Sequence, residues 1–140
     1  MLPKKTLAPL ARQLYETRTS RTPLRHFSAQ HPGMTIEDGY AIQQAWVQLE
    51  LADGRTIRGR KIGLTSRAMQ QASQIAEPDY APLMDDMFLQ QGSDIAISRF
   101  IAPRLEADLD FILTRPPTGR RGPLSALPAR PPPLAPRAQT

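Results

Sequence analysis

The sequence predicts an α+β fold, and three observations carry the prediction. Apolar residues recur at helical spacing through residues 1–55. Apolar and acidic residues then alternate with period two from Leu105 to Phe111. At Pro116 the composition changes abruptly to proline and arginine. On this reading the chain divides into a helical region over 1–55, the start of a β-rich core over 56–115 and a tail over 116–140.

Leu7, Leu10, Ala11 and Leu14 predict a first amphipathic helix between Leu2 and Thr17, with its regular part beginning near Pro9. Residues 20–33 are polar, contain Pro23 and Pro32, and read as a connection. Thr35 followed by Asp38 resembles a capping box with Asp in place of Glu. A second helix starts there, with Ile36, Tyr40, Val47 and Leu51 marking one side and Gly54 ending it. A strand over Thr56–Leu64 carries Lys61. Ser66 can cap a short helix with Met69, Ala72 and Ile75 turned inward. Residues 77–87, with Pro78 and Pro82, read as a long ordered loop. Short strands are expected near Ile95 and over Arg104–Leu113.

The tail holds eight prolines in its 25 residues. Proline removes backbone donors and is excluded from helix interiors and central strands, so an extended, disordered tail without covering strands is expected. Its bias toward Pro, Arg, Ala and Leu is what an out-of-frame reading of a GC-rich gene produces.

The net charge of +5 invites nucleic-acid binding until it is located. Residues 1–110 contain 13 Lys plus Arg and 13 Asp plus Glu, so the excess belongs to five arginines beyond them. A neutral body has no footprint for a polyanion, and Arg55, Arg58, Arg60 and Lys61 read as a solvated strand face. No nucleic-acid partner is expected. With no cysteine there are no disulfides or thiolate metal sites. No stretch approaches the roughly 20 apolar residues of a membrane helix, and no apolar run follows Lys4-Lys5, so a cytoplasmic protein without a membrane partner is expected.

Two segments carry chemistry. In Arg104-Leu105-Glu106-Ala107-Asp108-Leu109-Asp110-Phe111, a strand sets Leu105, Ala107, Leu109, Phe111 and Leu113 on one face and Glu106, Asp108 and Asp110 on the other. Same-face neighbours lie roughly 6.5–7 Å apart at Cα, so two such carboxylates can converge on one hard cation at about 2.1–2.5 Å. In Gly59-Arg60-Lys61-Ile62-Gly63-Leu64-Thr65-Ser66, a lysine sits between glycines, as an acid/base or anion-holding group. His26 and His31 have no partner at metal-ligand spacing.

Taken in order, Thr35-Ile36-Glu37-Asp38, the segment around Lys61, Ser73-Gln74-Ile75-Ala76-Glu77-Pro78-Asp79-Tyr80, Asp85-Asp86-Met87-Phe88, Gly92-Ser93-Asp94-Ile95 and the acidic stretch resemble the 2-keto-4-pentenoate hydratase family of the fumarylacetoacetate hydrolase superfamily. The likeness runs from about Leu7 to Pro116 and is strongest to members acting on 2-oxohept-4-ene-1,7-dioate in homoprotocatechuate breakdown. Family members are much longer, and beyond Pro116 nothing continues their pattern.

The resemblance implies a fumarylacetoacetate-hydrolase-like β-rich core, truncated here, and a homo-oligomer for the full-length family. It implies hydration of a 2-hydroxy-2,4-dienoate in aromatic-compound catabolism with Mg²⁺ or Mn²⁺ as Lewis acid. Glu106 and Asp108 stand as metal ligands, Lys61 and Asp79 as catalytic groups and Ser66 as a substrate-binding residue. Asp108 departs from the family's Glu-x-Glu, and the family's third acidic ligand falls beyond the point of divergence. Asp110 stands where relatives have a small or apolar residue, as a neighbour of the metal or an exposed acid; Asp85 and Asp86 are expected to stabilise their loop.

Two alternatives stay open. Decarboxylases of 2-oxo-3-hexenedioate share the acidic row and the lysine. A non-enzymatic fragment is the other, because Arg130-Pro131-Pro132-Pro133-Leu134-Ala135-Pro136 fits R-x-x-P-x-x-P, which a polyproline helix can present to an SH3-like groove. The truncated chain itself is expected to be inactive.

Overall fold

The computed structural model describes residues 1–113 and the two-residue strand Arg137–Ala138. In chain order the elements are helices α1 (Lys4–Ser20), α2 (Phe27–Gln30) and α3 (Ile36–Ala52), strand β1 (Ile57–Gly63), helix α4 (Arg67–Ser73), strand β2 (Asp79–Met84), 3₁₀ turns at Asp85–Met87 and Ile97–Arg99, and strands β3 (Leu105–Glu106) and β4 (Arg137–Ala138). The proline-rich run and the R-x-x-P-x-x-P motif, like the proposed change of frame, lie outside the described residues.

Helix α1 continues three residues past the expected end and incorporates Pro9. It closes at Arg21, which takes the left-handed conformation and donates its N–H to the Thr17 carbonyl. Leu10 and Ala11 are buried against Ile42 of α3, and Leu7, Phe27, Met34 and Trp46 pack around them.

The capping box of α3 forms as its sequence predicts. Thr35 Oγ1 accepts from the Asp38 N–H, and Asp38 returns Oδ2 to the Thr35 N–H at 3.0 Å. Oδ2 also accepts from the Leu2 N–H at 2.9 Å, so one carboxylate ties the chain start to α3. Burial pushes the Asp38 carboxyl up, but these hydrogen bonds and the nearby N-terminal ammonium outweigh it and hold its pKa below the ordinary value. Gly54, at φ 86°, follows the C-cap. The buried side of α3 runs through Asp38, Ile42, Val47 and Glu50, whereas Ile36 and Leu51, expected on that side, are exposed. Sequence periodicity misread this face because two buried positions are acids: Asp38 is held by backbone N–H groups, and Glu50 takes two arginines at Oε2 while its Oε1 has no hydrogen-bond partner among the described residues.

Residues 79–87 form β2 and a 3₁₀ turn, not an irregular loop, because β1 supplies a partner. The pair is antiparallel, with Gly63 opposite Asp79, Ile62 opposite Tyr80, Lys61 opposite Ala81 and Arg60 opposite Pro82. Asp85 closes the far end: its carboxylate accepts from the Thr56 hydroxyl at 3.0 Å, and that bond chiefly holds its pKa low. Met69 and Ala72 of α4 are exposed and Ile75 is half-buried, so α4 lacks the inward face expected of it.

Three further expectations are corrected. Near Ile95 the described residues hold a 3₁₀ turn at Ile97–Arg99, not a strand. Of the strand expected over Arg104–Leu113, only Leu105–Glu106 forms. The tail does supply a strand: β4 pairs antiparallel with β3, Leu105 opposite Ala138 and Glu106 opposite Arg137. Both β4 residues follow Pro136, the last proline, and so keep their N–H donors.

Candidate active site

On β1, residues two apart share a face, so Gly59, Lys61 and Gly63 line up together. Side chains fold over both glycines. A Cβ on Gly59 would lie 3.3 Å from the Phe88 ring, and one on Gly63 would collide with the Asp79 carboxylate. Lys61 is therefore left as the single side chain of this face between two bare backbone positions. Asp79, opposite Gly63, is its diagonal neighbour across the ladder, a separation of about 7–8 Å at Cα.

Lys61 Nζ lies 2.5 Å from Asp108 Oδ2 and 3.8 Å from Glu106 Oε2. The residues predicted as a metal pair thus converge on one positive charge, although the segment carrying Asp108 is not a strand. Their donor set, two carboxylates with hard oxygens, fits a hard divalent cation. Among the described residues no group of three or more His, Cys, Asp or Glu adds to them. Asp110 is half-buried.

Lys61 and Asp79 open onto the same groove of about 510 Å³. Its other wall comes from Met34, Tyr40 and Gln43 at the start of α3, with Tyr80 and Ile75 completing it. Tyr40 stacks on Tyr80 with ring centroids 4.8 Å apart, and Gln43 Nε2 donates to the Tyr80 carbonyl at 3.3 Å. These contacts pin β2 to α3 and fix the groove's width. Tyr40 and Gln43 were not singled out as site residues, because only the docking of α3 on β2 brings them to Lys61.

Ser66 is placed elsewhere. Its hydroxyl accepts from the Met69 N–H at 3.2 Å as the N-cap of α4, and it is not among the groove-lining residues. Between Lys61 and Ser66 the chain turns through Leu64 at φ 51°, a conformation that costs a β-carbon residue about 1 kcal/mol or more. Gln70 Nε2 holds the turn by donating to the Leu64 carbonyl at 2.8 Å.

A second polar cluster lies behind the helices. Glu50, fully buried, receives Arg18 at 2.9 Å and also Arg55, and both arginines reach Asp86. Arg58 lies over the Phe88 ring at 4.9 Å. Of the solvated cationic face expected at Arg55, Arg58, Arg60 and Lys61, Arg58 and Arg60 are exposed, whereas Arg55 and Lys61 are half-buried and held by acids.

This architecture places the chain within the fumarylacetoacetate-hydrolase-like α+β proteins. The solved 4-oxalocrotonate decarboxylase from Pseudomonas putida G7, complexed with calcium and acetate or with magnesium and adipate, superposes with a TM-score of 0.80 at 26% identity over 85% of this chain. No protein-family model matches the chain. Among curated proteins it is 50% identical over 119 residues to the 2-oxo-hept-4-ene-1,7-dioate hydratase of Escherichia coli, covering 85% of this chain. It is 32% identical over 117 residues to the 2-hydroxyhexa-2,4-dienoate hydratase of Comamonas testosteroni. Over the matched region the chain is similar to 2-keto-4-pentenoate hydratases and their relatives. It spans 45% and 44% of the lengths of those two relatives and 46% of the first solved structure.

Proposed function

We propose that this chain carries part of the active site of a hydro-lyase that adds water to a 2-hydroxy-2,4-dienoate of the 2-oxohept-4-ene-1,7-dioate type, in the catabolism of aromatic compounds. The observation that carries the reading is the meeting of Lys61 and Asp79 on one groove, with Lys61 also contacting Glu106 and Asp108. Glu106 and Asp108 would hold Mg²⁺ or Mn²⁺, which supplies Lewis acidity toward the oxygens of a 2-oxo acid.

The chain's own groups do the rest. The Lys61 ammonium, on a flexible stem, holds an anionic end of the substrate or delivers a proton to carbon. Asp79 accepts a proton from, or orients, the attacking water at the mouth of the groove. The stacked Tyr40 and Tyr80 offer an apolar wall against which a planar diene lies. A small dienoate acid is the partner. Ser66 reaches the substrate only if the turn at Leu64 shifts its hydroxyl away from the α4 cap.

The test uses a protein in which a family-like second half is restored. There Lys61→Ala should lower turnover at least about a hundredfold, the scale of losing a general acid/base. Near-normal turnover would return Lys61 to the status of an ordinary strand lysine. The likeness to 4-oxalocrotonate decarboxylase supports a second reading, loss of CO₂ from a 2-oxo-enedioate. Following diene absorbance alongside CO₂ release with each substrate separates the two.

A further inference from the structure

We propose that Lys61 is the resident counter-ion of the Glu106–Asp108 pair, and that a divalent cation enters by displacing its ammonium across Gly63 to the Asp79 carboxylate. The inference rests on the metal reading given above and adds a moving part to it.

Three observations carry it. First, Lys61 Nζ is within ion-pair distance of both carboxylates, at 2.5 and 3.8 Å. A hard divalent cation requires the same oxygens at about 2.1–2.5 Å. Two positive charges drawn to one pair of oxygens repel each other, so occupancy by one opposes occupancy by the other. Second, the positions beside Lys61 on its strand face are Gly59 and Gly63, so no side chain of β1 fences in its four-carbon stem. Third, the space over Gly63 is filled by the carboxylate of Asp79, one diagonal step across the ladder. A lysine leaving Glu106 and Asp108 in that direction exchanges one anionic partner for another and remains on the groove that Lys61 and Asp79 both line.

Metal binding and lysine placement are then one event. Without metal, Lys61 offsets part of the charge of the two carboxylates and bridges them. With metal, the ammonium stands beside Asp79, where a dienoate would meet it. Linkage makes the consequence measurable: whatever stabilises the displaced lysine strengthens metal binding, and whatever stabilises the Lys61–Asp108 contact weakens it.

The experiment is Mn²⁺ binding to the 140-residue chain, read by the electron paramagnetic resonance signal of free Mn²⁺. Lys61→Met should tighten binding about tenfold, a modest figure because the carboxylates are half-exposed and screened. Lys61→Gln serves the same purpose if the methionine variant misfolds. Asp79→Asn should weaken binding about threefold in the wild-type background and leave it unchanged in the Lys61→Met background, since there is then no ammonium to receive. Equal affinity in wild type and both Lys61 variants overturns the inference while leaving the metal reading intact, provided that Glu106→Ala abolishes binding. Binding that ignores Glu106→Ala, or no binding in any variant, overturns the metal reading and the inference with it.

Discussion

At the scale of single residues, the site depends on an absence as much as on any side chain. Gly63 has an ordinary negative φ, so its role is steric: the Asp79 carboxylate occupies the volume its Cβ would take. Because the colliding atoms are the far end of a side chain, Gly63→Ala should leave β1 paired and move Asp79 instead. In a full-length context we expect thermal stability within about 1 kcal/mol of the parent, the scale of a Gly-to-Ala exchange, and a turnover at least about tenfold lower, within the range of a displaced acid/base group. Thermal melts and steady-state rates on the same preparation test this. A loss of stability with turnover intact would remove Asp79 from the site.

At the scale of elements, the helices and the hairpin are joined by charge as well as by apolar contact. Arg18 of α1, Glu50 of α3, Arg55 before β1 and Asp86 after β2 form one connected cluster. The Glu50 side chain is fully enclosed, and two guanidinium groups donate to its Oε2. Removing that carboxylate leaves both arginines with only the half-exposed Asp86 between them. Glu50→Ala should therefore destabilise the fold by about 3 kcal/mol, the lower end of the cost of breaking a buried ion pair. Denaturant titration of the variant, in a protein with a family-like second half restored, measures it. A simultaneous Arg18→Ala change should recover part of the loss, and strictly additive effects would mean that the cluster is not coupled.

At the scale of the whole molecule, residues 105–113 present apolar surface. Leu105 is 87% exposed, Leu109 76% and Phe111 64%, and Ile112 and Leu113 are exposed beside them. Burying a side chain of this size is worth about 1.5–3 kcal/mol, and several such burials approach the about 5–15 kcal/mol stability of a typical domain. The 140-residue chain should therefore self-associate or bind an apolar dye such as ANS, and should lack a sharp cooperative melt. Replacing Leu105, Leu109 and Phe111 together by serine should reduce association in sedimentation experiments. A cooperative transition of a monomer with measurable hydratase activity would refute this picture of an uncovered face. No helix among the described residues is long and apolar enough to cross a membrane.

What the sequence determined by itself was local or combinatorial. The capping box at Thr35 and Asp38, the Ser66 cap and the stop at Gly54 depend on neighbours within a few residues, so their chemistry is written along the chain. The resemblance to the hydratases, too, lies in the order of short motifs. Tertiary structure decided the rest. Only strand pairing could turn residues 79–87 from a loop into β2 and set Asp79 over Gly63. Only the packing of α3 could bury Asp38 and Glu50, which periodicity assigns to solvent because it ranks residues by side-chain polarity and cannot foresee their partners. The acidic stretch shows the same divide: alternation placed Glu106 and Asp108 together, but a strand lasts only while a neighbour supplies hydrogen bonds, and β4 supplies them for two residues.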